Sequence, residues 1–279
     1  MSINVVNLFE NPNVKVIQQK GPFSVLEYQK DMSCSPFTAQ LSYFCSEMNV
    51  KRRQVVCELN KGAIRMQAGA MQWMAGNVSS TTGVKGAGDF LKKAIGSSVS
   101  GEGAIKPEYT GDGVVCLEPT YKYIILEDVA SWGGGIVLDD GLFLASETSL
   151  EHKVVSRGII KGIASGEGMF NLCITGQGIV CLESNSPREE LIVFELNNDT
   201  VKIDGNMAIA WSSSLQLTVE RSGTSLIGSA VSGEGLVNVY RGTGKILMAP
   251  VTDIGMMQFA PQSTGNNRNQ GLLSTLIRS

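Results

Sequence analysis

The four residues SGEG occur three times, at Ser100–Gly103, Ser165–Gly168 and Ser232–Gly235, and a second glycine pair follows each of them. These pairs open "GDGVVCLE" at Gly111, "GQGIVCLE" at Gly176 and "GTGKILMA" at Gly242. Gly101, Gly166 and Gly233 are 65 and 67 residues apart, and the G-x-G begins 10, 10 and 9 residues after them. Upstream, each copy has a glycine followed by an apolar run that ends in small residues: "GAMQWMAG", "GLFLASE" and "GNMAIAWS". Agreement at this period identifies an internal triplication. The repeats are placed at 33–117, 118–182 and 183–251, between an N-terminal extension, 1–32, and a flexible C-terminal tail, 252–279.

Within each copy the apolar period is two. "TVKIDGNMAIAW" and "LVNVYRGTGKILMA" alternate or run apolar over short lengths and stop at Gly, Asn or Asp, as half-buried antiparallel strands do. The 32 glycines and the low aromatic content, 6%, fit many short elements joined at tight turns. The expected fold is all-β, with three β-sandwich repeats forming one compact module. One stretch departs from the pattern. "GVKGAGDFLKKAIGSSVS" lengthens repeat one, and a short helix through "FLKKAIG" is predicted there, capped by Asp89 and ended by Gly96.

Several function classes lose their footing on the same residues. With 23 basic and 26 acidic residues, net −3, the chain has no general basic face for nucleic acid. No run approaches the roughly 20 apolar residues of a membrane span, and the first residues do not resemble a secretion signal. The expected location is the cytoplasm; peripheral membrane association has no support in the sequence. Cys34, Cys45, Cys57, Cys116, Cys173 and Cys181 form no C-x-x-C pair, and most of them, set between apolar neighbours as in "VVCLE" and "IVCLE", are read as small buried hydrophobes. His152 is the sole histidine, which excludes a multi-histidine zinc site or a cupin-type metal centre.

A phosphate loop needs G-x-x-x-x-G-K-[ST] or G-x-G-x-x-G between a strand and a helix. "GTGKILMA" does carry Lys245, but it enters a strand pattern, and the other copies have Val114 and Ile179 there. The glycine pairs therefore read as punctuation between strands. His152, in "SLEHKVVS", reads as a surface strand residue beside Lys153. The glutamates of SGEG, Glu102, Glu167 and Glu234, are the candidate axial site: on a pseudo-threefold axis they would converge and require a cation or a basic partner. The simpler reading has each carboxylate bonded to amides of its own turn. Trp73 and Trp211 fall in corresponding runs and read as packing residues, as does Trp132.

The combination "GAMQWMAGNV", "LKKAIGSSVSGEG", "GLFLASE", "GNMAIAWSSSL" and "SGEGLVNVYRGTGKILMAP" resembles the altered inheritance of mitochondria protein 24 family over about residues 33–251. Two departures stand out: GDG, GQG and GTG replace the common G-P-G, and "PREELIVFELNNDT" replaces a glycine-proline strand entry. The resemblance implies three tandem units like the tryptophan RNA-binding attenuator protein, packed with pseudo-threefold symmetry. It implies no catalytic residues, no cofactor and no ligand. The mitochondrial member's association with inner-membrane architecture implies a supporting role.

The expectation is a non-catalytic structural or protein-interaction module, with protein partners or self-association through exposed strand edges. The alternative is a small-molecule or RNA-binding protein using one face of the body. Basic residues clustered beside exposed aromatics would favour that alternative. A pocket joining the three glutamates or His152 to a metal would favour an enzyme, and an exposed apolar patch the interaction module.

Overall fold

Each repeat is built of three strand segments, the last of which pairs with both of the others. The computed structural model describes residues 4–82, 106–156, 170–204, 207–221 and 236–251. Two strands, β1 (Val14–Lys20) and β2 (Phe23–Tyr28), precede one helix, α1 (Ala39–Glu47). Repeat one then supplies β3 (Arg53–Met66), β4 (Met71–Thr81) and β5 (Glu108–Leu117). In repeat two each segment is broken in two. β6 (Tyr123–Asp128) and β7 (Ile136–Leu138) flank a short 3-10 turn at Val129–Trp132. Then come β8 (Phe143–Glu147), β9 (Glu151–Ser156), β10 (Phe170–Thr175) and β11 (Ile179–Ser184). Repeat three has β12 (Ile192–Asp204), β13 (Ala208–Ser212), β14 (Gln216–Arg221) and β15 (Leu236–Met248). Among the described residues the fold is all-β apart from α1 and the 3-10 turn. The helix expected through "FLKKAIG" lies outside the described residues; the helix that is described stands ahead of β3.

In every repeat the last segment runs antiparallel between the other two: β5 between β3 and β4, β10 and β11 between β6–β7 and β8–β9, β15 between β12 and β13–β14. The repeats are then stitched by a further pairing. The second half of one repeat's first segment bonds to the next repeat's middle segment: β3 to β8 (Arg65 opposite Ser146) and β7 to β13 (Val137 opposite Trp211). These two junctions are equivalent in register. Pseudo-threefold packing calls for a third, β12 to β4, and among the described residues those two strands do not pair.

Two of the three glycine pairs are not punctuation between strands. Gly111 and Gly113 are paired residues inside β5, and Gly242 and Gly244 inside β15; only Gly176 and Gly178 fall between strands. They mark the place where the last segment crosses the middle one. A Cβ on Gly113 would stand 2.1 Å from the Ala75 carbonyl oxygen, so only glycine permits the two backbones to touch. The first segment kinks opposite them. Lys61 (φ 57°) and Asn198 (φ 53°) adopt left-handed backbone where the registers of β3 and β12 shift. The periodic signal was correct for strands, but a G-x-G in a long strand looks like a G-x-G between two short ones.

The core follows the repeats. One cluster gathers Phe23, Val55, Leu59, Tyr109 and Val115, a second Trp132, Ile136, Phe143, Leu172 and Leu182, and a third Leu196, Ile203, Trp211, Tyr240 and Ile246. A smaller cluster under the N-terminal strands joins Leu8, Val14, Leu26 and Val56. β2 pairs on β3, and β1 turns back towards β6, where Lys20 Nζ donates to the Leu126 carbonyl (3.1 Å) and the Leu126 amide to Gln18 Oε1 (3.2 Å). These bonds leave the sheet β1-β2-β3-β8-β11-β6 nearly closed as a barrel.

Candidate functional site

Glu102, Glu167 and Glu234 lie outside the described residues, as does each SGEG. The strands that flank them are hairpin partners: Thr81 pairs with Glu108, Ser156 with Phe170 and Arg221 with Leu236. Among the described residues, no three His, Cys, Asp or Glu side chains gather as metal ligands, and no helix is long and apolar enough to cross a membrane.

His152 is not on the surface. Its ring is half-buried, packed edge-on against Phe143 at 5.1 Å, with Nε2 3.0 Å from Ser146 Oγ. Burial, then the Arg65 guanidinium and the Lys106 ammonium, push its pKa down to about 3, so the imidazole is neutral at physiological pH. The pair has the outline of a nucleophile and its base. Ser146 is 0% exposed, and the pair lies beside the β3–β8 junction, where Arg65 stands opposite Ser146. Sequence alone gave no sign of this, because the alternation of β9 does not reveal that Phe143 lies across from it.

The cysteines behave as the sequence suggests for the interior ones. Cys57, Cys116 and Cys181 are buried, and burial is the first cause of their raised pKa; that of Cys116 reaches about 12. Such thiols are inert. The tryptophans need a correction. Trp73 pairs with Cys116, three residues beyond Gly113, whereas Trp211 pairs with Ile246, two beyond Gly244. The offset of one residue turns them to opposite faces: Trp211 is buried against Tyr240, and Trp73 is half-buried on the N-terminal cluster.

Two clefts among the described residues carry charged side chains. One of about 460 Å³ is lined by Glu127, Trp132, Arg188, Glu195 and Lys245. Arg188 Nε donates to Glu127 Oε1 (3.2 Å), Trp132 Nε1 to Glu127 Oε2 (3.3 Å), and Lys245 stands opposite Glu195 on paired strands. Two cations against two carboxylates leave no strong field for an anion. The other, about 290 Å³, carries Glu58 and Glu147, and Glu147 Oε2 is already bonded to the Ile179 amide at 2.6 Å.

The most unusual surface is α1. Ser35 and Thr38 bond reciprocally ahead of it (3.1 and 3.3 Å), and it closes in a left-handed turn at Asn49 (φ 61°). The Val50 amide there donates to the Cys45 carbonyl (2.8 Å) and the Asn49 amide to Ser46 (3.2 Å). None of its residues is buried. Leu41 and Phe44 on the helix, Phe37 just ahead of its N-cap and Met48 at its C-cap are all exposed, Phe37 98% and Met48 74%, and together make up an apolar stripe along α1 and its ends. Their spacing was legible in the sequence but was hidden inside a chain read as period two. The helix is tied to the body at its C-terminal end. Arg53, 2% exposed, donates through Nη2 to Glu27 Oε2 (2.8 Å) and to the Asn49 carbonyl (3.1 Å), and lies over Tyr123 at 4.3 Å. Ser46 Oγ donates to the Gln29 carbonyl at 2.6 Å.

These features define a class: an all-β protein of repeated, interlocked strand segments. The matching family model, Mitochondrial biogenesis AIM24, spans residues 47–251, and the chain belongs to that family. An uncharacterised protein of Streptococcus pyogenes serotype M6 is 29% identical over 207 residues, covering 71% of this chain and 80% of its own length. A Streptococcus pyogenes protein solved by X-ray crystallography matches with a TM-score of 0.54 at 26% identity, over 75% of this chain and 91% of that one. The α1 stripe largely precedes the matched residues.

Proposed function

We propose that this chain is a non-catalytic protein-interaction module that presents α1 to a partner protein. One observation carries the reading: a helix tied to the body at its C-terminal end, none of whose residues is buried, carrying and flanked by the exposed apolar side chains Phe37, Leu41, Phe44 and Met48. Exposing Phe37, Leu41, Phe44 and Met48 together is costly in water, and laying such a face into a partner's apolar groove recovers roughly 1.5–3 kcal/mol for each fully buried side chain. Six unbridged thiols agree with a reducing compartment and support the cytoplasmic reading.

The test is purification from the protein's own cells, comparing wild type with a Phe37→Ser/Leu41→Ser/Phe44→Ser/Met48→Ser variant. Because no residue of α1 is buried, the variant should fold. A defined protein that co-elutes with wild type and is lost with the variant is the expected result. Binding of the wild type to lipid vesicles with no protein partner, or unchanged co-elution with the variant, would overturn the reading. A second reading, a small-molecule binder, has one feature in its favour, the cleft at Trp132, Arg188 and Lys245. Reproducible retention of a small molecule that is lost in Lys245→Ala would support it.

A further inference from the structure

The two junctions within the chain specify a third that the chain does not make. In the first, Ile64, Arg65 and Met66 lie opposite Glu147, Ser146 and Ala145. In the second, Ile136, Val137 and Leu138 lie opposite Ser212, Trp211 and Ala210. Each residue's counterpart in the other repeats follows from its own pairing near the G-x-G: Tyr109 with Ile64, Ile174 with Ile136 and Tyr240 with Val201; Val115 with Met74, Val180 with Ser146 and Ile246 with Trp211. Extending that register, Val201, Lys202 and Ile203 of β12 match Ala75, Met74 and Trp73 of β4. Both stretches are described, and they are not paired with each other.

Their side chains show the consequence. The counterparts in β8 and β13, Ala145, Ser146, Ala210 and Trp211, are all buried. No residue of β4 is buried, and Met74 is 43% exposed. The outer edge of β4 thus offers main-chain groups where β8 and β13 each receive a strand from the preceding repeat, and β12 offers the strand. We infer that a second copy of this chain completes the junction, β12 of one copy pairing antiparallel with β4 of the next in the register Lys202 opposite Met74. The contact is head-to-tail, using unlike surfaces on the two copies, and it continues the repeat series from chain to chain. It uses none of the α1 stripe and stands or falls separately from the α1 partner.

The experiment uses full-length protein with Cys34 and Cys45, the two cysteines that are not buried, replaced by serine. Met74→Cys and Lys202→Cys are made as separate single variants; both side chains are exposed, so folding is preserved. Mild oxidation of the mixture should give a covalent dimer that neither variant gives alone. A chain carrying both changes should give a ladder of covalent dimers, trimers and longer species. Two results overturn the inference: no cross-link in the mixture, or a disulfide that forms within single chains of the double variant. The second would place β12 on β4 of the same molecule.

Discussion

Strand β4 and its counterparts β8–β9 and β13–β14 come from the same repeated stretch, yet they have opposite surroundings. β8 and β13 are sandwiched between their own repeat and the one before, and nearly every residue is buried. β4 runs unbroken from Met71 to Thr81, is bonded on one side by β5, and has no buried residue. The difference teaches that a repeated sequence sets a strand's inner partner, while its outer partner depends on which repeat comes before it. Repeat one has none before it.

The sharpest way to break the comparison is through the crossing glycines. Gly113→Ala should cost about 5 kcal/mol or prevent folding, because its Cβ would meet the Ala75 oxygen at 2.1 Å. Gly242→Ala, 3.6 Å from the nearest carbonyl oxygen but at φ 122°, should cost only about 1–2 kcal/mol. Urea unfolding midpoints of the two variants would decide it; equal losses would mean the close approach in repeat one is unimportant. Next in size, Trp211→Ala should cost about 3–5 kcal/mol, whereas Met74→Ala, at the matching position of β4, should change stability by less than about 0.5 kcal/mol in the monomer. Arg53→Ala should cost about 3 kcal/mol by leaving Glu27 without its buried partner, and hydrogen exchange across α1 should rise with it.

A further effect, visible only as pH is changed, lies at the β3–β8 junction. His152 is held below its ordinary 6.5, at about 3, so the unfolded chain takes up a proton that the folded one refuses. Its contribution to stability is therefore present above 6.5 and lost as pH falls towards 3, by at most about 1.4 kcal/mol per pH unit. Replacing His152 by Asn should flatten the stability profile between pH 6.5 and 4.5 relative to wild type. An unchanged slope in thermal or urea unfolding would show that the ring is not protected.

Much of the fold was written in local pattern. The strands around "VVCLE", "IVCLE" and "KILMA" were recognisable because a pleated strand alternates its faces residue by residue, and that signal survives in a single sequence. The candidate site was far less legible. Trp73 and Trp211 looked equivalent because they fall in corresponding runs, but the paired register puts Trp73 at the position of Ala210, one residue before the counterpart of Trp211, and so turns the rings to opposite faces. His152 looked exposed because its neighbours Glu151 and Lys153 are. The α1 stripe was spelled out by Phe37, Leu41, Phe44 and Met48, but its exposure depends on nothing packing over it, which no spacing can show.

The sequence by itself determined the triplication, the all-β class and the positions where the backbone must be glycine, since these depend on periodicity and on the presence or absence of a Cβ. Only the tertiary structure decided that the glycine pairs of β5 and β15 lie inside strands, that His152 is half-buried beside Ser146, and that among the described residues α1 and the outer edge of β4 are left facing outward. The physical reason is that burial and pairing are properties of two segments brought together across dozens of residues, and each segment's own sequence specifies just one side of the contact.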